Sequence, residues 1–209
     1  MKNLHFIHGF ATGSDIWRKQ IKEFGQVTDI EQADALVIVG WSMGGWKAIE
    51  LCLEHPSKVK GLVLVSSFAK YVQSADYPCG TPSALLHKLK KRFLTDYRTG
   101  MTYFYDLVFR DKNQHHLIEE LPVPEKSEID AWFRRLEQDD LRPLLPRIKV
   151  PTLIIHGDQD PIVSGQSAEY LRKNIKNSRL IVFHRTGHAP FLEQAEEFNR
   201  LLKNFIHER

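Results

Sequence analysis

The sequence is poor in cysteine, in long apolar runs and in any excess of one charge. Two cysteines, Cys52 and Cys79, occur among 209 residues, which gives neither a disulfide framework nor the spacing of a metal-ligand set. No apolar run approaches the roughly 20 residues that a membrane span needs. The net charge of +3 is too weak an imbalance to indicate a nucleic-acid partner. We therefore expect no membrane span, no nucleic-acid partner and no metal or other cofactor.

The remaining composition is that of an ordinary folded protein. Hydrophobic residues make up 42% and charged residues 26% of the chain, as in typical globular domains. A chain of this length is expected to form one core, so we predict a single domain over residues 1–209. The first residues run directly into a strand-like segment without a basic and then apolar leader, which favours a cytoplasmic protein.

One stretch, residues 35–51, organises the rest of the chain. Residues 35–39 form an apolar run that is too short for a helix and predicts a strand buried on both faces. Residues 40–44 read Gly-Trp-Ser-Met-Gly, and a helical pattern then continues to Pro56. A strand that turns directly into a helix strains the residue at the bend and exposes its side chain. We predict that Ser42 occupies this tip, although a structural turn with a bystander serine is the alternative.

The flanking sequence alternates strand and helix patterns. Strands are predicted at residues 4–10, 60–66, 150–155 and 179–183, with a possible short strand at 27–30. Helices are predicted at 17–24, capped by Ser14 or Asp15, and at 166–175 and 192–206. Residues 68–147 lack strand-like runs and read as a helical insertion. This alternation predicts a parallel sheet with helices on both faces and a site at the carboxyl ends of the strands.

Three chemically distinct side chains follow predicted strands in the order Ser42, Asp160, His188. A serine hydroxyl needs a base to become a nucleophile, and a neutral imidazole can take its proton and later return it. A carboxylate on the other ring nitrogen fixes the imidazole and stabilises its charged form. We therefore predict a catalytic triad. Asp158 is the alternative carboxylate, although it fits a turn residue better, and His188 is preferred as the base because it lies between the last strand and the last helix.

The same chemistry needs donors for the oxyanion of the tetrahedral intermediate. We assign this role to the backbone N–H of Met43, which follows the serine, and to that of Phe10, which follows the first predicted strand. His8 and His156 also stand at strand ends. We interpret them as structural or site-lining residues and not as general bases.

These motifs together resemble the α/β-hydrolase superfamily. More narrowly, the chain is similar to the pimeloyl-[acyl-carrier protein] methyl ester esterases of biotin synthesis. The segments that carry the resemblance are residues 8–10, 40–45, 55–56, 66–67, 77–79, 140–143, 157–161 and 187–191. The resemblance implies cofactor-free hydrolysis of an ester at the end of an acyl chain held on a carrier protein. It also implies a helical cap at residues 68–147, and substrate contacts from Trp41, Phe104, Tyr105, Leu107 and Val108.

The chain departs from that family in two ways. Family members carry two more strands before His8 and a longer segment where this chain has residues 26–34, so we expect a sheet of about five to six strands. The cap arginines that hold the acidic carrier protein in the family are not matched. The corresponding positions are Tyr103, His116, Glu120 and, nearby, Arg98. A different basic group, Lys88, Lys90, Lys91 and Arg92, lies on an earlier helix and reads most simply as a solvated face.

The sequence therefore predicts a serine carboxylesterase that cleaves the methyl ester of a pimeloyl chain on acyl carrier protein. The first alternative is a general short-chain carboxylesterase or thioesterase. A non-catalytic hydrolase fold used as a binding module is the remote alternative, because such proteins usually lose a member of the triad and this chain keeps all three.

Overall fold

The computed structural model describes residues 3–110 and 112–208. Its strands are β1 (Leu4–Ile7), β2 (Leu36–Trp41), β3 (Val59–Val65), β4 (Thr152–Gly157) and β5 (Ser178–Phe183). They lie in chain order across one sheet, and each neighbouring pair is parallel. The predicted fold class, α/β with a reduced parallel sheet, is confirmed, and the described residues form five strands.

The α-helices lie before, between and after these strands in the chain. They are α1 (Arg18–Phe24), α2 (Gly44–Glu54), α3 (Ser83–Thr95), α4 (Tyr97–Val108), α5 (His116–Glu120), α6 (Lys126–Gln138), α7 (Gly165–Asn174), α8 (Pro190–Glu193) and α9 (Ala195–His207). None of the helices in the described ranges is long and apolar enough to cross a bilayer.

The helices cover both faces of the sheet. Gly61 of β3 faces the ring of Phe205 on α9, whereas Leu64 of the same strand faces α2 at Gly45. Residues an odd number of positions apart on a strand point to opposite faces, so α9 and α2 lie on opposite sides. Every residue of β2 is buried, as expected for a strand covered on both faces.

Three local predictions were wrong. Ser14 and Asp15 do not cap α1, because the chain enters through a 3₁₀ turn, Ser14–Trp17, that contains both residues. Residues 27–30 form no strand; the N–H of Val27 donates one hydrogen bond to the carbonyl of Leu4 (2.7 Å) before a 3₁₀ turn begins. The last predicted helix is two helices, divided at Gln194, where the backbone leaves the helical conformation (φ −130°, ψ 56°).

The segment between β3 and β4 contains α3 to α6, and its aromatic side chains pack on the loop that follows β1. The ring of Phe10 makes edge contacts with Phe104, Trp132 and Phe133 at 5.2–5.6 Å between centroids. The ring of Phe93 lies 5.5 Å away. The helices of this segment therefore rest on one of the two predicted oxyanion residues. The interpretation of residues 68–147 as a cap within a single domain stays a prediction.

Candidate active site

Ser42 lies at the bend between β2 and α2. Its φ of +54° is in the left-handed region that non-glycine residues seldom adopt. The backbone around it is fixed on both sides, since its N–H donates to the carbonyl of Val65 (2.8 Å) and its carbonyl accepts from Ser67 Oγ (2.9 Å). The strained bend that the sequence predicts is present, but the predicted exposure of the serine is wrong, because Ser42 is 6% exposed.

A glycine brings this bend against the loop after β1. A Cβ on Gly44 would lie 2.3 Å from the carbonyl oxygen of His8 and 2.8 Å from that of Ile7. Only a residue without a side chain permits this approach. The amino end of α2, with Met43, therefore sits beside the loop that carries Phe10, and the two predicted oxyanion donors come from adjacent segments.

Asp160 and His188 are in direct contact at the carboxyl ends of β4 and β5. The Nδ1 of His188 lies 2.7 Å from Oδ2 of Asp160, and both side chains are 1% exposed. The other carboxylate oxygen accepts from the N–H groups of Ile162 (2.8 Å) and Val163 (3.0 Å). Asp158 instead approaches the exposed His184 at 3.1 Å, so the structure pairs His188 with the carboxylate that the sequence favoured.

The charge state of this pair follows from its surroundings. Burial alone would raise the pKa of Asp160, but His188, His156 and the backbone donors outweigh burial and hold the pKa below its usual value. The carboxylate is therefore ionised at neutral pH and accepts the Nδ1 proton of His188, which leaves Nε2 as the free base. Among the described residues this buried Nε2 has no hydrogen-bond partner.

The structure does not place Ser42 Oγ in a hydrogen bond with His188 Nε2. Such bonds are often long before a substrate binds, and they shorten in the reacting complex. The unpaired Nε2 and the serine at the strained bend are the two groups that the mechanism needs to bring together.

Trp41 has a different place from the one predicted. It is 1% exposed, its Nε1 donates to the carbonyl of His188 (2.8 Å), and its ring lies 5.4 Å from the imidazole. The N–H of Gly187 is held in turn by the carboxylate of Glu193 at 3.0 Å. Trp41 and Glu193 thus fix the backbone of the loop that carries His188. Trp41 is not among the residues that line the cleft beside Phe10 and Met43.

A cleft of about 580 Å³ opens beside the oxyanion residues. Phe10 and Met43 both line it, and neither of their N–H groups forms a hydrogen bond with another described residue. Its other walls are His8, Gly9, Ala11, Thr12, Ile7, Gly44, Lys47, Tyr97, Leu121, Pro122, Val123, Pro124, Glu125, Glu128, Trp132 and Arg135. The cleft therefore combines apolar walls with the charged side chains of Lys47, Glu125, Glu128 and Arg135, and it reaches the oxyanion residues although Ser42 and His188 do not line it.

The remaining predicted substrate contacts lie outside this cleft. Phe104 is buried against the ring of Phe10, and the hydroxyl of Tyr105 donates to the carbonyl of Ala11 (3.2 Å). Val108 is buried, whereas Leu107 is 36% exposed. Phe104 and Tyr105 support the loop that forms one wall. Sequence reasoning missed the lining residues at 121–124 and Trp132; the apolar stripe of α6 was the one available signal, since it contains Trp132.

A second buried histidine, His156, lies at the end of β4. Its Nε2 is 3.5 Å from Oδ2 of Asp160 and 3.0 Å from the carbonyl oxygen of Val163. Burial lowers the pKa of His156, and this effect outweighs the negative charge of Asp160, which raises the pKa. The ring is therefore neutral in the folded protein at pH values where an exposed histidine is already protonated.

This shift predicts a pH dependence of stability. The unfolded chain binds a proton at His156 near pH 6.5, but the folded protein does so only at lower pH, so acidification favours unfolding. The free energy of unfolding should fall below about pH 6.5, by up to about 1.4 kcal/mol per pH unit from this residue. Urea unfolding between pH 7.5 and 5 measures it, and a His156→Gln variant should lose this part of the slope. An unchanged slope in the variant would contradict the assignment.

Residues 23–195 match the model of the alpha/beta hydrolase fold. The chain belongs to the α/β-hydrolase family. Ser42, Asp160 and His188 all lie inside the match.

Curated relatives of this α/β-hydrolase share the name pimeloyl-[acyl-carrier protein] methyl ester esterase. The protein from Neisseria meningitidis serogroup A is 35% identical over 198 residues, with 88% of this chain and 64% of that protein covered. One from serogroup C is also 35% identical, with 88% and 77% covered. The chain thus spans less than two thirds of the first relative's length.

One further relative is longer than this chain, and one solved structure shares its fold. The relative from Nitrosomonas europaea is 28% identical over 232 residues, with 94% of this chain and 92% of that protein covered. Because this chain has 209 residues, that relative contains residues that this α/β-hydrolase lacks. A solved esterase from Exiguobacterium antarcticum superposes with a TM-score of 0.89 at 23% identity, covering 99% of this chain and 92% of that one. This likeness concerns the fold.

Proposed function

We propose that this α/β-hydrolase is a serine carboxylesterase that hydrolyses the methyl ester of a pimeloyl chain carried on acyl carrier protein, as a step of biotin synthesis in the cytoplasm. The observation that carries the chemistry is the 2.7 Å contact of His188 with Asp160, at the same edge of the parallel sheet as the strained bend that holds Ser42 after β2. The name shared by its relatives supports the substrate.

The proposed mechanism uses protein groups and water alone. Ser42 Oγ bonds to the ester carbonyl carbon as His188 Nε2 takes its proton, and the carbonyl electron pair moves onto oxygen. The N–H groups of Phe10 and Met43 stabilise that oxyanion. The bond to the methoxy oxygen then breaks, methanol leaves with the proton from His188, and an acyl-enzyme remains. Water, deprotonated by His188, then attacks the acyl carbon. The bond from that carbon to Ser42 Oγ breaks, His188 returns the proton to Oγ, and the free acid leaves.

The cleft suits a flexible acyl chain. Its apolar walls next to the oxyanion donors are formed by Phe10, Trp132, Leu121 and Val123. Burial of the methylene groups of an acyl chain against such walls stabilises the complex. In this proposal residues 68–147 are the cap, because they supply the walls from Tyr97 to Arg135.

The outer face of α3 is our proposed contact for the carrier protein. Lys88 and Lys91 are exposed, and with Arg92 they line a surface groove of about 380 Å³. The opposite face of α3 places Phe93 against Phe10. One helix therefore joins a basic surface to the oxyanion site, and positive surface charge accelerates association with an acidic partner.

Charge reversal tests this contact. The double variant Lys88→Glu/Lys91→Glu should lower kcat/KM for a carrier-linked ester roughly tenfold at low salt, because steering depends on surface charge. The kcat/KM for free p-nitrophenyl butyrate should stay unchanged. Lys173→Glu/Lys176→Glu, at two exposed lysines in the last turn of α7 and in the turn that follows it, is the matched control for net charge. Equal losses in the two double variants would remove α3 from the proposal.

Methanol release tests the substrate. The values of kcat/KM are measured by methanol release for pimeloyl methyl ester on acyl carrier protein and for free dimethyl pimelate, and by p-nitrophenol release for p-nitrophenyl butyrate. A preference of at least tenfold for the carrier-linked ester supports the proposal.

A general short-chain carboxylesterase or thioesterase is the second candidate. The short coverage of the first relative and the unmatched cap arginines favour it. Activity confined to the free esters, or preference for a thioester, would establish that function instead.

A further inference from the structure

His156 is a buried polar residue that the proposed mechanism does not use. It is 1% exposed and lies at the end of β4, four residues before the carboxylate that holds His188. A backbone carbonyl can only accept a hydrogen bond, so the 3.0 Å contact with Val163 places a proton on Nε2. The other ring nitrogen, Nδ1, is then an acceptor, and it has no partner among the described residues.

The hydrogen bond to Val163 braces the turn that orients the carboxylate. The N–H of Val163 donates to Oδ1 of Asp160 (3.0 Å), while its carbonyl accepts from His156. The same ring nitrogen, Nε2, also lies 3.5 Å from Oδ2 of Asp160. Both oxygens of Asp160 thus lie near groups that His156 holds or supplies.

We propose that His156 is a positioning residue for the esterase reaction, which keeps the carboxylate of Asp160 directed at Nδ1 of His188. This inference rests on the proposed function. A purely structural role would be served as well by an apolar side chain, without the unpaired acceptor that a buried imidazole leaves at Nδ1.

The charge of the surrounding groups fits this role. Asp160 is ionised, and Tyr71 is neutral because burial raises its pKa to about 12. His156 is itself neutral, since burial is the largest influence on its pKa. The positive group in contact with the negative charge of Asp160 is then the imidazolium that forms on His188 when Ser42 gives up its proton.

Two variants separate positioning from folding. His156→Gln keeps an N–H donor near the place of Nε2, whereas His156→Leu removes it. We expect His156→Leu to lower kcat about tenfold, as for the loss of one hydrogen bond in the reacting complex, with KM little changed. His156→Gln should keep at least a third of the wild-type kcat. Activity is measured on p-nitrophenyl butyrate, and thermal unfolding shows the folded fraction.

The pH profile gives a readout that a structural role would not change. A carboxylate held less firmly stabilises the imidazolium less, so the acid limb of kcat/KM in His156→Leu should move to lower pH. Partial unfolding would lower the plateau and leave the midpoint of that limb in place.

The outcomes distinguish this inference from the proposed function. If the wild-type protein hydrolyses esters and both variants share its kcat and pH profile, His156 has no positioning role and the esterase proposal stands. Equal losses of kcat in both variants, with an unchanged midpoint of the acid limb, would likewise overturn the positioning role of His156. A wild-type protein that hydrolyses no ester would overturn the proposed function itself, and the inference with it.

Discussion

Replacement of Ser42 by alanine is expected to lower kcat for ester hydrolysis by about 10⁴-fold or more, because no nucleophile remains. The backbone at this position is held by Val65 and Ser67 through main-chain atoms, which alanine keeps. The melting temperature should therefore change by less than about 2 °C, as for a substitution that removes no packed group. Initial rates on p-nitrophenyl butyrate and a thermal scan measure the two quantities.

Ser57→Ala is the matched control for this experiment. It removes a hydroxyl from an exposed serine beyond α2 and should leave both quantities at their wild-type values. If Ser42→Ala kept more than a tenth of the wild-type kcat, the nucleophile would have to be another residue.

Replacement of Gly157 by alanine should disrupt the contact between Asp160 and His188. A Cβ at this position would lie 2.1 Å from the carbonyl oxygen of Gly187 and 2.3 Å from that of Thr186, so the loops after β4 and β5 must move apart. We expect a loss of about 3 kcal/mol in the free energy of unfolding, or roughly 10 °C in Tm. Since the triad contact spans these loops, kcat should fall by about 10²-fold as well.

Gly165→Ala provides the comparison. It lies in the same region, at the start of α7, and its nearest neighbour would be Cδ2 of His156 at 4.0 Å. This variant should be as stable as the wild type or slightly more so, because alanine favours helix. Denaturant unfolding and kcat on p-nitrophenyl butyrate, measured for both variants, check the prediction. Similar behaviour of the two would contradict the close approach at Gly157.

The strands and the order of the site residues could be predicted because each depends on local sequence. Short runs of β-branched residues bounded by glycine and proline predict buried strands, and β2 to β5 lie within two residues of their predicted positions. Parallel strands bring their carboxyl ends to one edge. The contact between Asp160 and His188, distant in sequence, follows from that topology.

The walls of the cleft could not be predicted in the same way. Helical spacing shows that Phe104 is buried, but it does not show what the ring packs against, and the structure places it on Phe10. Residues 121–124 form a proline-containing segment after α5 without periodic apolar spacing, so no pattern marked it as a wall. Trp41 is next to Ser42 in sequence, but successive residues of a strand point to opposite faces of the sheet. Its side chain therefore contacts His188.

His156 shows another limit of sequence reasoning. A histidine before a glycine at a strand end indicates proximity to the site, and we predicted a structural or lining role. Its bond to Val163 and its approach to Asp160 depend on the turn that follows β4. Only the folded geometry shows whether His156 positions the carboxylate of Asp160 or has no part in the site.

Labelling with a fluorophosphonate probe tests the central claim most directly, that Ser42, His188 and Asp160 act together. We expect one probe per chain, located by peptide mass spectrometry on Ser42. Labelling should be abolished in Ser42→Ala and slowed at least 10²-fold in His188→Gln, which loses the general base. If the folded wild-type protein stays unlabelled, or is labelled at another serine, the claim that these three residues act together is contradicted. An unlabelled protein would favour a non-catalytic binding module.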